Sequence, residues 1–293
     1  MRHLNRIAAA LLAGLLIAGW GLPRATSAAE KSEGLMINVG LQLYSFRDQM
    51  AKDVPGTLEL VHKMGIDDVE VAGVYGLSAE QLRDELKKNR LKPSGMHFQW
   101  PELSEHLDQV IADAKTLGLE YVTLPWIPHN GEFTIQNAHD AAKAFNKWGK
   151  RLAEAGLKFT YHAHGYEFRP QPGGGTLFDV MAKETDPKYV NYELDIFWAY
   201  DGGADPVKLM EKYPDRFPQM HLKDMRKDIK TPNYTGHEDV EADVAMGRGQ
   251  LDLPAILNEA IKIGVKHYYI EDESKESVQQ VPVSIRYVRS IGH

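Results

Sequence analysis

Between Ile37 and Ser290 the chain repeats one unit, a short apolar run of β-type residues followed by an amphipathic helical stretch, eight times over. The strand-like runs are Ile37 to Tyr44, Val69 to Ala72, Pro93 to His97, Tyr121 to Leu124, Lys158 to His164, Val190 to Asp195, Phe217 to Lys223 and Tyr268 to Glu271. The helical patterns fall at Val54 to Met64, Ala79 to Asn89, Leu103 to Leu117, Gln136 to Ala155, Leu177 to Lys183, Pro206 to Lys212, Leu253 to Ile263 and Ser277 to Ser290. Gly65, Gly118 and Gly156 stand just past three of these stretches, where helices favour glycine. Strict alternation over about 250 residues predicts an α/β protein of the (β/α)8 TIM-barrel type in preference to an open doubly wound sheet. No Gly-x-Gly-x-x-Gly follows the first strand, which removes the main signal for a dinucleotide-binding sheet.

Several of the strand-like runs end in groups that could bind a metal. The fifth ends His162-Ala163-His164-Gly165-Tyr166-Glu167, the sixth Glu193-Leu194-Asp195, the seventh His221-Leu222-Lys223-Asp224 and the eighth Ile270-Glu271-Asp272. Taken singly, Asp195 could cap the next turn, His221 could be a core histidine and Glu271 a partner for a lysine. Together they gather at the carboxyl edge of a parallel barrel, where such folds place their chemistry. Imidazole and carboxylate donors without thiolate suit a divalent ion such as Mn²⁺, Mg²⁺, Zn²⁺ or Co²⁺. A stretch without helical pattern, about Met225 to Leu251, follows the seventh strand and is expected to cover that edge.

The first 29 residues read as a signal peptide: Arg2, His3 and Arg6 precede an apolar run from Ile7 to Leu22, and Ala25-Thr26-Ser27-Ala28-Ala29 supplies small residues for cleavage. Residues 30–293 are expected to form one barrel domain, periplasmic or secreted, with no stable membrane association after cleavage. Cysteine is absent, which excludes disulfides, thiolate metal sites and a cysteine nucleophile. A net charge of -7 with no concentrated basic face argues against a nucleic-acid partner.

The runs His162-Ala163-His164-Gly165-Tyr166-Glu167-Phe168, Glu193-Leu194-Asp195-Ile196-Phe197-Trp198, His221-Leu222-Lys223-Asp224, Gly247-Arg248-Gly249-Gln250-Leu251-Asp252 and Ile270-Glu271, with Gly40-Leu41-Gln42-Leu43-Tyr44-Ser45 on the first strand, resemble the sugar (phosphate) isomerase/epimerase family with the xylose isomerase-like TIM barrel. The likeness spans nearly all of the chain after residue 29. It implies one divalent metal held by a Glu, Asp, His, Glu set, of which Asp195, His221 and Glu271 match the last three. Many relatives have a glutamate where this chain has His162. Glu167, five residues on, is then the expected first ligand, with His162 as the alternative.

His164 shares a strand face with His162 and is a candidate base. Glu271, Lys223 and His162 are further catalytic candidates, Lys223 as a cation polarising a substrate oxygen or else as the salt-bridge partner of Asp224. His97, Trp126, Trp198 and Arg248 are candidate substrate contacts, the tryptophans, Trp100 among them, through ring faces suited to sugars. No glycine-rich phosphate cradle opens a helix. With export expected, this predicts an unphosphorylated sugar or keto-glycoside as substrate. Proton abstraction next to a carbonyl would give isomerisation or epimerisation through an enediolate, or cleavage of a 3-keto-glycoside by β-elimination, as a lyase or hydrolase. A non-catalytic carbohydrate-binding barrel is the third reading.

Overall fold

The computed structural model describes residues 37–291, so the expected signal peptide lies outside the described residues. Eight strands, β1 (Val39–Gln42), β2 (Asp68–Val71), β3 (Lys92–His97), β4 (Tyr121–Leu124), β5 (Lys158–His162), β6 (Val190–Asp195), β7 (Gln219–Leu222) and β8 (His267–Ile270), form the barrel. It closes in the order β1-β8-β7-β6-β5-β4-β3-β2, every pair parallel, as the alternating units require. The helices that return the chain are α1 (Val54–Lys63), α2 (Ala79–Lys88), α3 (Leu107–Leu117), α4 (Ile135–Glu154), α5 (Leu177–Glu184), α6 (Pro206–Lys212), α7 (Leu253–Ile263) and α8 (Ser277–Ile291). Local chemistry sets their ends: Ser78 and Thr134 form capping boxes, and Gly118 and Gly264 close α3 and α7 at positive φ.

The strands are apolar on one face only. Leu41, Val69, Val71, Val122, Leu124, Phe159, Leu194, Met220, Leu222 and Ile270 are buried in the main core, the annulus between strands and helices. The alternate residues, Gln42, Glu70, Thr123, Thr160, His162, Glu193, Gln219 and His221, are equally buried but polar. They satisfy one another inside the barrel: the Thr160 hydroxyl donates to Gln219 Oε1 at 2.9 Å and Gln42 Nε2 donates to Glu70 at 2.7 Å. A barrel filled with hydrogen-bonded groups trades hydrophobic gain for a rigid polar platform at the carboxyl edge.

Two segments depart from the sequence reading. The helix expected over Leu103 to Leu117 breaks at His106, whose backbone leaves the helical region (φ -131, ψ 31) between Trp100–Glu105 and α3. Trp100 is thereby turned onto Phe145 and Trp148 of α4, away from the barrel mouth. The insertion after β7 is not wholly irregular: Asp224–Met225 pairs antiparallel with Asp243–Val244, and the Arg226 amide donates to the Ala242 carbonyl at 2.8 Å. Among the described residues no helix is long and apolar enough to cross a membrane.

Candidate metal centre

Three donors from three strand ends converge: Asp195, His221 and Glu271. Asp195 ends β6 and serves two purposes. Its Oδ1 caps the short helix Ile196–Asp201 by accepting the Trp198 amide at 2.9 Å, while Oδ2 is buried with no hydrogen-bond partner among the described residues. That free oxygen lies 3.7 Å from His221 Nδ1 and 3.9 Å from His162 Nε2, and His221 Nδ1 lies 3.1 Å from Glu271 Oε2. Donor atoms bound tetrahedrally at about 2.1 Å from one ion stand about 3.4 Å apart, so these spacings fit a single divalent cation.

Behind these donors lies a layer of carboxylates. His221 Nε2 is 2.7 Å from Glu70 Oε2 and 3.2 Å from Glu193 Oε2, and His162 Nδ1 is 3.1 Å from Glu193 Oε2. Each imidazole can thus give its rear N–H to a carboxylate and keep its front nitrogen for the metal side, the arrangement typical of protein metal sites. Burial and Glu70 push Glu193 up, but His221 and His162 hold it down at about 2. Burial, helped by Glu271, carries Asp195 up to about 7 against the pull of Lys223 and His221. Burial opposes the charge on His221, yet Glu193 and Glu271 raise it well above its usual value, whereas burial with His164 and His221 nearby lowers His162.

Lys223 is almost fully buried. Its Nζ reaches Glu273 at 2.6 Å, Glu271 at 3.3 Å and both Asp195 and Asp243 at 3.8 Å, and it also packs over the Phe197 and Trp198 rings. It holds the acidic groups together and does not meet Asp224, which instead accepts the amides of Gly247, Gly249 and Leu251.

The structure does not bring Glu167 to this cluster. Gly165, at φ +97, turns the chain so that Glu167 folds behind β5, where it takes the Tyr161 hydroxyl and accepts the His164 amide through both oxygens at 3.2 Å. His162, on the inward face of the strand, brings its Nε2 to 3.9 Å from Asp195 Oδ2 instead. Burial lifts Glu167 to about 7. Arg248 is also elsewhere: the Gly247-Arg248-Gly249 turn wraps its amides around Asp224 and leaves Arg248 on an outer depression with Glu276 and Gln279.

A cavity of about 380 Å³ opens above the cluster, lined by His97, His162, His164, Trp126, Trp198 and Glu271 among others. The insertion roofs it with Gly236, His237, Glu238 and Val240. His97 Nε2 lies 3.2 Å from Glu70 and 3.3 Å from Glu193; burial opposes its charge, but the two carboxylates raise it to about 10. His164 is held down at about 3, chiefly by burial, and its Nδ1 has no partner among the described residues. Trp126 lines the cavity, with His129 and His237 stacked on it at ring-centroid distances of 5.3 and 5.2 Å. Sequence reasoning overlooked Glu70, although it alternates with the apolar Val69 and Val71, and Glu193, two residues before Asp195 on the same face. Tyr44, Glu273, His237 and Glu238 carried no signal beyond their place after strand ends.

This architecture is a (β/α)8 barrel with a His and carboxylate cluster at the carboxyl edge of its strands. Residues 58–291 match the family model described as xylose isomerase-like TIM barrel, and the chain belongs to that family. It is 26% identical over 218 residues to an inosose dehydratase of Geobacillus kaustophilus, covering 70% of this chain and 64% of that protein. It is 29% identical over 135 residues to an inosose dehydratase of Clostridium tetani, covering 43% of each. The chain therefore matches less than two thirds of the length of these curated relatives. Among solved structures, a sugar phosphate isomerase/epimerase from Parabacteroides distasonis superposes with a TM-score of 0.73 at 25% identity, covering 92% of this chain and 98% of that one. The IOLI protein with a bound zinc atom superposes at 0.67 and 15% identity, covering 87% and 98%, a likeness of fold.

Proposed function

We propose that this chain is a divalent-metal-dependent enzyme that removes a proton from the carbon next to a carbonyl in an unphosphorylated sugar. The observation that carries the reading is the cluster of Asp195, His221 and Glu271, with His162 Nε2 3.9 Å from the unpartnered Asp195 Oδ2, beside a cavity whose lining holds neither lysine nor arginine. Apart from His97, the lining offers no side-chain cation of the kind a phosphate group calls for. The apolar run of residues 7–22 supports the same substrate class, because phosphorylated sugars are intracellular intermediates and export would place the protein in the periplasm or outside the cell.

His162, Asp195, His221 and Glu271 would hold the ion. When bound, it acidifies the C–H beside the carbonyl and stabilises the oxygen charge that develops. His164, a neutral imidazole on the cavity lining with Nδ1 unengaged among the described residues, would accept the proton. His97, held protonated by Glu70 and Glu193 at the cavity wall, donates to a substrate oxygen. Lys223 fixes Glu271 and Asp195 in place. Return of the proton to another face or carbon gives epimerisation or isomerisation.

A second reading, loss of a β-oxygen substituent after the same abstraction, is favoured by the dehydratase relatives and by the protonated His97, which could assist the leaving oxygen. The test is incubation of the metal-loaded protein in D₂O with neutral keto sugars and their phosphorylated counterparts, followed by NMR. Deuterium beside the carbonyl with altered configuration supports isomerase chemistry, and an unsaturated product supports elimination. Absence of exchange with every sugar, or preference for the phosphorylated member, refutes the reading.

A further inference from the structure

Tyr44 is held rigidly yet left in the open. Among the described residues it and Ile135 are the large apolar side chains left exposed, Tyr44 at 42%. Tyr44 lines the cavity that opens above the metal donors, so its exposed ring offers an apolar face to whatever enters there. Its backbone amide donates to Gln42 Oε1 at 3.1 Å, and the Arg47 guanidinium lies 4.8 Å from the ring centroid. Arg47 is itself clamped, donating to the Glu273 carbonyl at 2.7 Å and to the Tyr44 carbonyl at 3.3 Å. One face of the ring is therefore backed by a fixed cation, and the residue lines the cavity together with Gln99 and Glu238. Of the candidate metal donors, His162 and Glu271 line the same cavity, so a ligand held by them can extend to Tyr44.

We propose that Tyr44 is the platform of an outer subsite that binds a second pyranose ring, making the preferred substrate a disaccharide-like glycoside. The C–H face of the outer ring packs on Tyr44, and its hydroxyls meet Gln99 and Glu238 at the rim. The proposal rests on reading the cavity as a sugar site, and the test uses binding alone so that the two can fail separately. Isothermal titration of the zinc-loaded protein with D-glucose, cellobiose and 4-nitrophenyl β-D-glucoside should show cellobiose bound at least about tenfold more tightly than glucose, a gap within the range of one aromatic packing contact. Tyr44→Ala should bring the two sugars to within about twofold of each other, and Tyr44→Phe should preserve the gap. Equal affinities in the parent protein, or a gap that survives Tyr44→Ala, overturns the subsite. Tighter binding of the nitrophenyl glucoside than of cellobiose overturns the pyranose assignment in favour of a flat aryl group. No binding of any sugar overturns both the subsite and the sugar site, whereas an intact gap without proton exchange removes only the catalytic reading.

Discussion

Replacing Asp201 by asparagine should make the protein more resistant to unfolding at alkaline pH without comparable effect in acid. Asp201 ends the short helix Ile196–Asp201 with its side chain fully buried, and neither carboxylate oxygen has a hydrogen-bond partner among the described residues. Its backbone carbonyl accepts the Asn233 amide at 2.7 Å, so it lies beneath the insertion. The charges facing it, Glu238 and Asp195, are both acidic. Burial first, then these two, lift it from 3.8 to about 7. A carboxyl whose folded value is raised stabilises the fold while protonated, and that contribution disappears as pH climbs from about 4 to about 7. Between pH 5 and pH 8 the parent protein should lose about 2.6 kcal/mol through this one group, and about 2 kcal/mol after allowance for partial solvent screening. The asparagine side chain carries no titrating proton, so the variant escapes that loss, equivalent to about 4–8 °C in Tm at pH 8 relative to pH 5. Urea unfolding of parent and Asp201→Asn at both pH values measures it, the difference of differences cancelling the cost of fitting an amide into the site. A stability difference between the two proteins that is the same at pH 5 and pH 8 refutes the reasoning.

Three further outcomes follow from the site. Metal affinity should climb steeply as pH rises through about 7, because bound metal must displace protons from Asp195 and His221; zinc titration of the metal-free protein at pH 6 and pH 8, with calorimetric measurement of released protons, checks this, and a flat profile contradicts it. His162→Gln should weaken metal binding at least about tenfold while Glu167→Gln leaves metal content intact and lowers turnover by loosening the His164 backbone; metal content and kcat measured on the same preparations separate the two. Gly236→Ala should destabilise the roof by about 1–3 kcal/mol, because its φ is +68 and a Cβ would come within 2.7 Å of Tyr166 and 2.9 Å of Trp126; a rise in proteolysis within residues 226–242 with the barrel otherwise intact reports it.

The barrel was legible because alternation of element types is encoded locally: Val69-Glu70-Val71 and Phe159-Thr160-Tyr161 read as strands whatever lies around them. Asp195, His221 and Glu271 were legible for a related reason, since a strand end in a parallel barrel has one destination. Glu167 was not, because its direction depends on a single left-handed turn at Gly165 that reverses the chain behind β5. Arg248 was misplaced by a comparable effect: Asp224 gathers the flanking amides, so the turn closes inward on backbone and pushes the side chain out. The stacking of two imidazoles on Trp126 was not legible either, because one of them, His237, comes from a loop over a hundred residues distant in sequence, a contact no local pattern announces.

The paired strands Asp224–Met225 and Asp243–Val244 fasten the roof at its root, so that residues 226–242 leave the barrel and come back at the same place. The floor of the cavity draws its donors from separate strands and tolerates little change, whereas its ceiling is one contiguous cassette with adjoining ends. Exchange of that cassette for another of different length would leave every candidate metal donor where it stands. Divergence of specificity in such a barrel can therefore proceed by replacement of a single short stretch of gene, with the candidate metal donors inherited unaltered.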